Sequence, residues 1–366
     1  MTNLRTALHG DHIGSLLRPP ELLEARQARR EGRLSIEALH AAEDAAILKA
    51  FELQKQAGVE IFTDGEYRRN SFLDPITQGM EGLVKPDAPS GAATVWHGPT
   101  AALATDTMNA EVVDVFKVAG GKLTASGRTT GIEGAFMRDH APGPWKMTMP
   151  GIMMRANAMF RPGITDRFYA DVAAMVQDIV SIVQGEVRAL IAEGCSYIQL
   201  DSLLYVNPLP PGMVERNIAV DNAIIDAAKA AGATVGLHMC RGNNRSAWLS
   251  EGTYEANAEA AFNGLHCDRF LLEYDTARSG GFEPLRFVPR DKTVVLGLIS
   301  SKLPAVEAVD DVARRIEEAS RYVDIDRLAV SPQCGFASSA PGNMLGWDDM
   351  RRKLELVSEV ALKVWA

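Results

Sequence analysis

The feature that most restricts how this chain can fold is a regular exchange between short apolar runs and longer amphipathic ones. The strand-like runs are Lys146-Met147-Thr148-Met149, Tyr197-Ile198-Gln199-Leu200, Val235 to His238, Phe270-Leu271-Leu272-Glu273, Val294-Val295-Leu296-Gly297 and Leu328-Ala329-Val330. Between and after them the apolar spacing changes to that of a helix over residues 166–193, 212–231, 251–263, 305–321 and 347–363. Two earlier strands are predicted, Thr6 to Ser15 and Val59-Glu60-Ile61-Phe62-Thr63, separated by a helical pattern over 21–57 that ends at Gly58. Strands alternating with helices of this length imply parallel pairing through right-handed crossovers, and eight such units suit an α/β fold, the closed (β/α)8 TIM barrel. A doubly wound open sheet is the alternative, but no Gly-x-Gly-x-x-Gly follows the first strand.

The rhythm breaks over residues 73–145, which are rich in Gly, Pro and Thr and hold a hairpin-like pair around Asp114-Val115-Phe116-Lys117-Val118 and Lys122 to Ser126. An insertion after the second strand, within a single catalytic domain spanning 1–366, is expected there. Barrels with insertions reach this length as one unit.

A formal net charge of −9, with no clustered basic face, argues against nucleic-acid binding. No run of about 18 apolar residues occurs and the first residues lack a secretory pattern, so a cytoplasmic protein with no membrane partner is expected. Four cysteines (Cys195, Cys240, Cys267 and Cys334) in such a chain point to metal binding or plain burial rather than to a disulfide framework.

Leu237-His238-Met239-Cys240 ends one of the predicted strands, and side chains two apart on a strand share a face. An imidazole and a thiol so placed can chelate zinc; a core histidine beside a buried cysteine is the other reading. A second thiol, Cys334, also closes a strand-like run and favours the metal. In a barrel, strand C-termini converge on one rim, and Ser15, Glu66, Asp201, His238, Cys240, Glu273, Ser300 and Cys334 all fall near such ends. One neutral imidazole and two thiolates leave a fourth position on zinc, which Glu273 can fill at rest and a substrate thiol can take in turn. The metal would then hold that thiol as a thiolate, still electron-rich and nucleophilic, whereas hydrolytic zinc more often uses His and carboxylate ligands.

The chain resembles, over nearly its whole length, the catalytic barrel of cobalamin-independent methionine synthase. The residues that carry the resemblance are Ile13-Gly14-Ser15, Asp64-Gly65-Glu66-Tyr67-Arg68-Arg69-Asn70, Ile198-Gln199-Leu200-Asp201, His238-Met239-Cys240, Leu272-Glu273 with Arg278-Ser279, and Ser331-Pro332-Gln333-Cys334-Gly335. It implies a zinc-dependent S-methyltransferase that moves a methyl group to homocysteine through a zinc-bound thiolate, with Zn2+ at His238, Cys240, Glu273 and Cys334. It also implies an amino acid held at Ser15, Glu66 and Asp201; two carboxylates suit an ammonium group and a hydroxyl suits a carboxylate.

Two departures matter. The family's proton-donating histidine is replaced in the Gly297-Leu298-Ile299-Ser300-Ser301-Lys302 run, where Ser300 cannot act as an acid, so His12 and Asp201 are the candidates for catalytic proton transfer. The chain is also too short for the extra folate-binding barrel, so the donor can be a folate, a simpler methylated compound or a methyl-corrinoid protein. Competing readings are a thiol cofactor opening an epoxide at the same kind of zinc, a decarboxylase or hydrolase with incidental cysteines, and a metal-binding protein without catalysis. Cys195 and Cys267 are expected as ordinary thiols at strand starts, Trp96, Trp145, Trp248 and Trp347 as packing residues with a pterin-stacking or lid residue among them as the alternative, and Arg68-Arg69 as either a contact for an acidic substrate or a solvated loop.

Overall fold

The computed structural model describes residues 8–86, 94–111 and 116–366. An antiparallel ribbon, β1 (Met80–Val84) with β2 (Val118–Ala125), precedes six parallel strands that pair in sequence order. These are β3 (Lys146–Pro150), β4 (Tyr197–Ser202), β5 (Thr234–Met239), β6 (Arg269–Glu273), β7 (Thr293–Ile299) and β8 (Leu328–Pro332). All but Thr293 are buried along their length, as expected of strands covered on both faces.

Two chain segments close the ring between β8 and β3. The first joins β8 through a parallel bridge at Gly10 and Val330, and the second joins β3 through one between Phe62 and Trp145. The two segments meet each other where the Leu16 N–H donates to the Gly65 carbonyl at 3.0 Å, the Thr63 hydroxyl donates to the Gly14 carbonyl at 2.8 Å, and His12 Nε2 lies 2.9 Å from the Ile61 carbonyl. The eight-unit parallel barrel is therefore the fold, but the first two predicted strands shrink to single-residue bridges. Polar side chains such as Asp11, His12 and Thr63 stand where continuous apolar ladder positions would otherwise be.

Other boundaries differ from expectation for local reasons. The helix predicted over 21–57 is two helices, Pro20–Arg30 and Ile36–Gln56, because Gly32 takes a left-handed φ of 72° and Ser35 caps the second through a hydrogen bond from the Ala38 N–H. The predicted hairpin near 114–126 is not formed. Val118–Ala125 is one strand paired with Met80–Val84, while Asp114 and Val115 lie outside the described residues. The segment between Phe62 and β3 also contains helices Ala101–Glu111 and Gly131–His140, and a short helix, Met153–Met159, follows β3. Among the described residues no helix is long and apolar enough to cross a membrane.

Candidate metal and substrate site

The end of β5 presents His238 and, just beyond it, Cys240; the turn after β8 presents Cys334. One ligand atom from each of the three lies within 4.8 Å of the other two, and all three residues are buried. His238 Nδ1 sits 3.1 Å from the Leu271 carbonyl, which fixes the proton on that nitrogen, and Nε2 is buried with no hydrogen-bond partner. A metal ion is the natural partner for an imidazole so held beside two sulfurs. The Cys240 sulfur beside it, together with His238 and Lys302, holds Cys334 well below the usual thiol range, and the same contact pushes Cys240 up. Burial disfavours an imidazolium at His238, but the Cys334 sulfur and the Asp201 carboxylate outweigh it and raise that pKa. One imidazole and two sulfurs, with Cys334 the readier of the two thiols to ionise, make a donor set that fits zinc.

The two cysteine-bearing turns are tied to each other. Asn243 Nδ2 donates to the Gly335 carbonyl at 2.7 Å, Asn343 Nδ2 donates to Asn243 Oδ1 at 2.9 Å, and the Ser339 hydroxyl donates to Asn244 Oδ1 at 2.6 Å. Lys302 Nζ reaches the same Asn243 oxygen at 3.0 Å, and Arg245, with φ of 51°, donates to the Pro341 and Gly342 carbonyls. Gly335 lets the Ser15 segment approach closely, since a Cβ there would stand 1.9 Å from Ser15 Oγ and displace that hydroxyl. The sulfurs are consequently placed by the loops rather than by a ligand.

Ser15, Glu66 and Asp201 line the same cavity as His238, Cys240 and Cys334, a cleft with about 1080 Å³ of empty volume that includes some open solvent. Glu66 sits in a strained left-handed conformation, φ 60°, directly after Gly65 at φ 68°. Arg18 holds that turn by donating to the Glu66 and Arg69 carbonyls at 2.6 and 2.7 Å. Glu66 Oε1 accepts from the Thr148 hydroxyl at 2.7 Å and lies 3.7 Å from Arg69, whereas Oε2 is buried and unpartnered. Burial raises the Glu66 pKa, and it lifts Asp201 to about 7. Asp201 Oδ1 accepts from Gln199 at 2.8 Å.

Glu273 is not brought into the three-residue group. Its Oε2 accepts the Arg241 N–H at 2.6 Å, its Oε1 accepts from Arg278, and although burial opposes ionisation, Lys302, Arg278 and Arg241 hold its pKa down. His12 does not line the cavity, although Ile13 and Ser15 do. Its ring meets the Ile61 carbonyl, and burial and Lys146 push its pKa down to about 4, so it is neutral. Ser300 donates to Asp275 Oδ2 at 2.8 Å. Arg68 pairs with Glu43 and Asp44, and Arg69 with Glu133 at 2.7 Å, so neither faces a substrate. Cys195 and Cys267 are buried free thiols, pushed up to about 12 by burial. Sequence reasoning missed the Asn243 and Asn343 braces and the Arg69–Glu133 support, although Asn243 and Asn244 directly follow the His-x-Cys motif.

Fold and site together define a (β/α)8 barrel with a candidate thiophilic metal centre at the C-terminal rim of its strands. Residues 134–363 match the model of the family described as cobalamin-independent synthase, catalytic domain, and the chain belongs to that family. The uncharacterized protein YxjG of Bacillus subtilis (strain 168) is 35% identical over 97% of this chain and 94% of its own length. The methionine synthase of Pyrococcus abyssi is 26% identical over 88% of this chain and 84% of that protein. In structure the chain resembles a B12-independent methionine synthase from Shewanella sp. W3-18-1 solved in complex with selenomethionine, with a TM-score of 0.74 at 20% identity, covering 98% of this chain and 97% of that one.

Proposed function

We propose that the protein is a zinc-dependent thiol S-methyltransferase that methylates homocysteine, its single catalytic domain carrying residues 73–145 as an insertion. The observation that carries this reading is the unpartnered His238 Nε2 beside two buried thiols, in one cavity with the unpartnered Glu66 Oε2. His238, Cys240 and Cys334 would hold the metal, and Glu273 could join them by giving up one of its hydrogen bonds. Bound there, zinc would lower the pKa of an incoming thiol and keep it nucleophilic at neutral pH.

The protein's own groups do the rest. Glu66 Oε2 offers a carboxylate oxygen to the amino acid's ammonium group and Asp201 a carboxyl oxygen that can accept in either protonation state, while the Ser15 hydroxyl would face the amino acid's carboxylate. Of the two candidates for handing a proton to the leaving group, Asp201 lines the cavity and His12 does not, which supports Asp201. Thr148 and Arg69 keep Glu66 Oε1 in place so that the other oxygen is presented to substrate.

The test combines metal analysis with thiol consumption. The protein should contain about one zinc per chain, and Cys240→Ser and Cys334→Ser should each lose most of it. Homocysteine should be consumed with methyl donors and not with epoxides. A metal-free wild-type protein, or a Cys334→Ser variant with full methyl transfer, would sink the reading.

A further inference from the structure

Part of the barrel interior is apolar, where Ile13, Leu271, Val295 and Ala329 pack together. A polar column passes beside them. From β3, Lys146 Nζ donates to Asp11 Oδ1 at 2.7 Å, to the His12 carbonyl and to Gln199 Oε1 at 2.8 Å. From β4, Gln199 Nε2 donates to the Ile13 carbonyl at 2.7 Å and to Asp201 Oδ1 at 2.8 Å. Lys146 and Gln199 are buried and do not line the cavity that Asp201 reaches. The direction of every bond in this column is fixed. An ammonium group can only donate and a backbone carbonyl can only accept, so the Gln199 amide has one orientation, its oxygen towards Lys146 and both N–H groups committed. Gln199 and Asp201 stand two apart on β4 and share a face, which makes their contact a local consequence of the strand. An apolar residue at 199 would fill the interior more cheaply, because a buried amide costs desolvation unless each of its groups is matched. Here each is matched, and the match ends on a side chain of the substrate cavity.

We propose that Gln199 is a positioning residue that sets selectivity for α-amino thiols: by occupying Asp201 Oδ1 it holds that carboxyl group still and turns Oδ2 to the substrate's ammonium group. This rests on the reading of Ser15, Glu66 and Asp201 as the amino acid site. A carboxyl group left alone has broad freedom about its terminal bond. The Gln199 N–H removes that freedom, and Lys146, itself anchored on Asp11, keeps the amide from swivelling in turn. Gln199 touches no substrate. It acts through Asp201, so its loss weakens a thiol that carries an ammonium group and spares one that lacks it.

Binding, rather than turnover, tests this role. The zinc-loaded protein is titrated by calorimetry with homocysteine and with 4-mercaptobutanoate, which keeps the thiol and the carboxylate but has no amine. Both ligands bring the same sulfur, so the ratio of their affinities isolates the ammonium contact. Wild type should favour homocysteine by about 100-fold. Gln199→Met should cut that ratio about tenfold through homocysteine, with 4-mercaptobutanoate staying within about twofold of wild type. Gln199→Glu keeps the shape and the Lys146 contact but turns an acceptor on Asp201, so it too should lower the ratio, which covers the case in which the Met variant does not fold. In an Asp201→Asn background, Gln199→Met should change homocysteine affinity no further. Equal weakening of the two thiols, which is what a merely structural role predicts, overturns the proposal, and so does full additivity with Asp201→Asn. If wild type binds homocysteine no better than 4-mercaptobutanoate, the amino acid site falls and the role of Gln199 with it. A wild-type preference that survives in the folded Gln199 variants removes the role of Gln199 alone.

Discussion

Two fully buried carboxylates, Asp11 at the N-terminal end of the barrel strands and Glu66 at the C-terminal rim, are treated in opposite ways. Asp11 Oδ1 accepts from Lys146 Nζ at 2.7 Å and from the His12 N–H at 2.8 Å, while Oδ2 accepts from the Tyr197 hydroxyl at 3.2 Å with Arg269 3.8 Å away. Burial alone would raise its pKa, but Lys146 and Arg269 outweigh it and hold Asp11 below the usual carboxylate range. Glu66 has Thr148 and a longer contact to Arg69 on one oxygen and nothing on the other, so burial wins and its pKa rises. The first carboxylate is completed by the protein and stabilises the fold, whereas the second keeps one buried oxygen open, as the proposed amino acid site requires. Gln199 links the two levels, accepting from Lys146 at 2.8 Å and donating to Asp201 at 2.8 Å.

The sharpest way to break this comparison is to strip each carboxylate of its partner. Lys146→Met should cost about 3–5 kcal/mol in urea denaturation at neutral pH, because it leaves Asp11 charged and buried. Asp11 has a depressed pKa, so its contribution is present above the unfolded value of about 3.9 and is lost as pH falls through the folded one; the gap between Lys146→Met and wild type should narrow in acid. Glu66→Gln should instead leave the fold intact and weaken homocysteine binding by about 10–100-fold in calorimetry, the worth of a charged hydrogen bond. A comparable loss of stability from both substitutions would erase the distinction. A smaller effect is expected of Asn243→Ala, which removes a brace between the two cysteine-bearing turns without touching a proposed ligand; zinc affinity, measured by chelator competition, should fall about tenfold.

How much of this could be read from the chain depends on the range of the interactions. The β5 spacing places His238 and Cys240 on one face by local geometry, and Cys334 follows once β8 is its neighbour around the ring. The same period of two separates His12 from Ile13 and Ser15, so the candidacy of His12 as a cavity acid conflicted with a rule already in the sequence. The Arg69–Glu133 pair joins residues 64 apart through a helix that Gly and Thr content gave no reason to expect, and it became legible only in three dimensions. The first two strands were overestimated because apolar runs do not reveal that Asp11 and Thr63 spend their polar groups on neighbouring segments rather than on a continuous ladder.

The finest test of the comparison is the pH dependence of stability in the metal-free protein. Glu66 has its pKa raised by burial, so the folded chain binds that proton more tightly than the unfolded chain does. Its contribution therefore falls as pH rises from the ordinary glutamate value, about 4.3, and levels off once Glu66 is ionised in the fold as well. Glu66→Gln cannot ionise, and above that window it should be more stable than wild type by about 1 kcal/mol, the low end for an unpaired buried acceptor, while near pH 4 the two should coincide. The dependence is opposite in sign to that of Asp11, whose window lies below about pH 4, so denaturation midpoints followed from pH 8 down into that acid range would show both. Homocysteine should abolish the variant's advantage, because an ammonium group beside Oε2 supplies the missing partner; an advantage independent of both pH and homocysteine would mean that the Glu66 charge is not what the substitution removes.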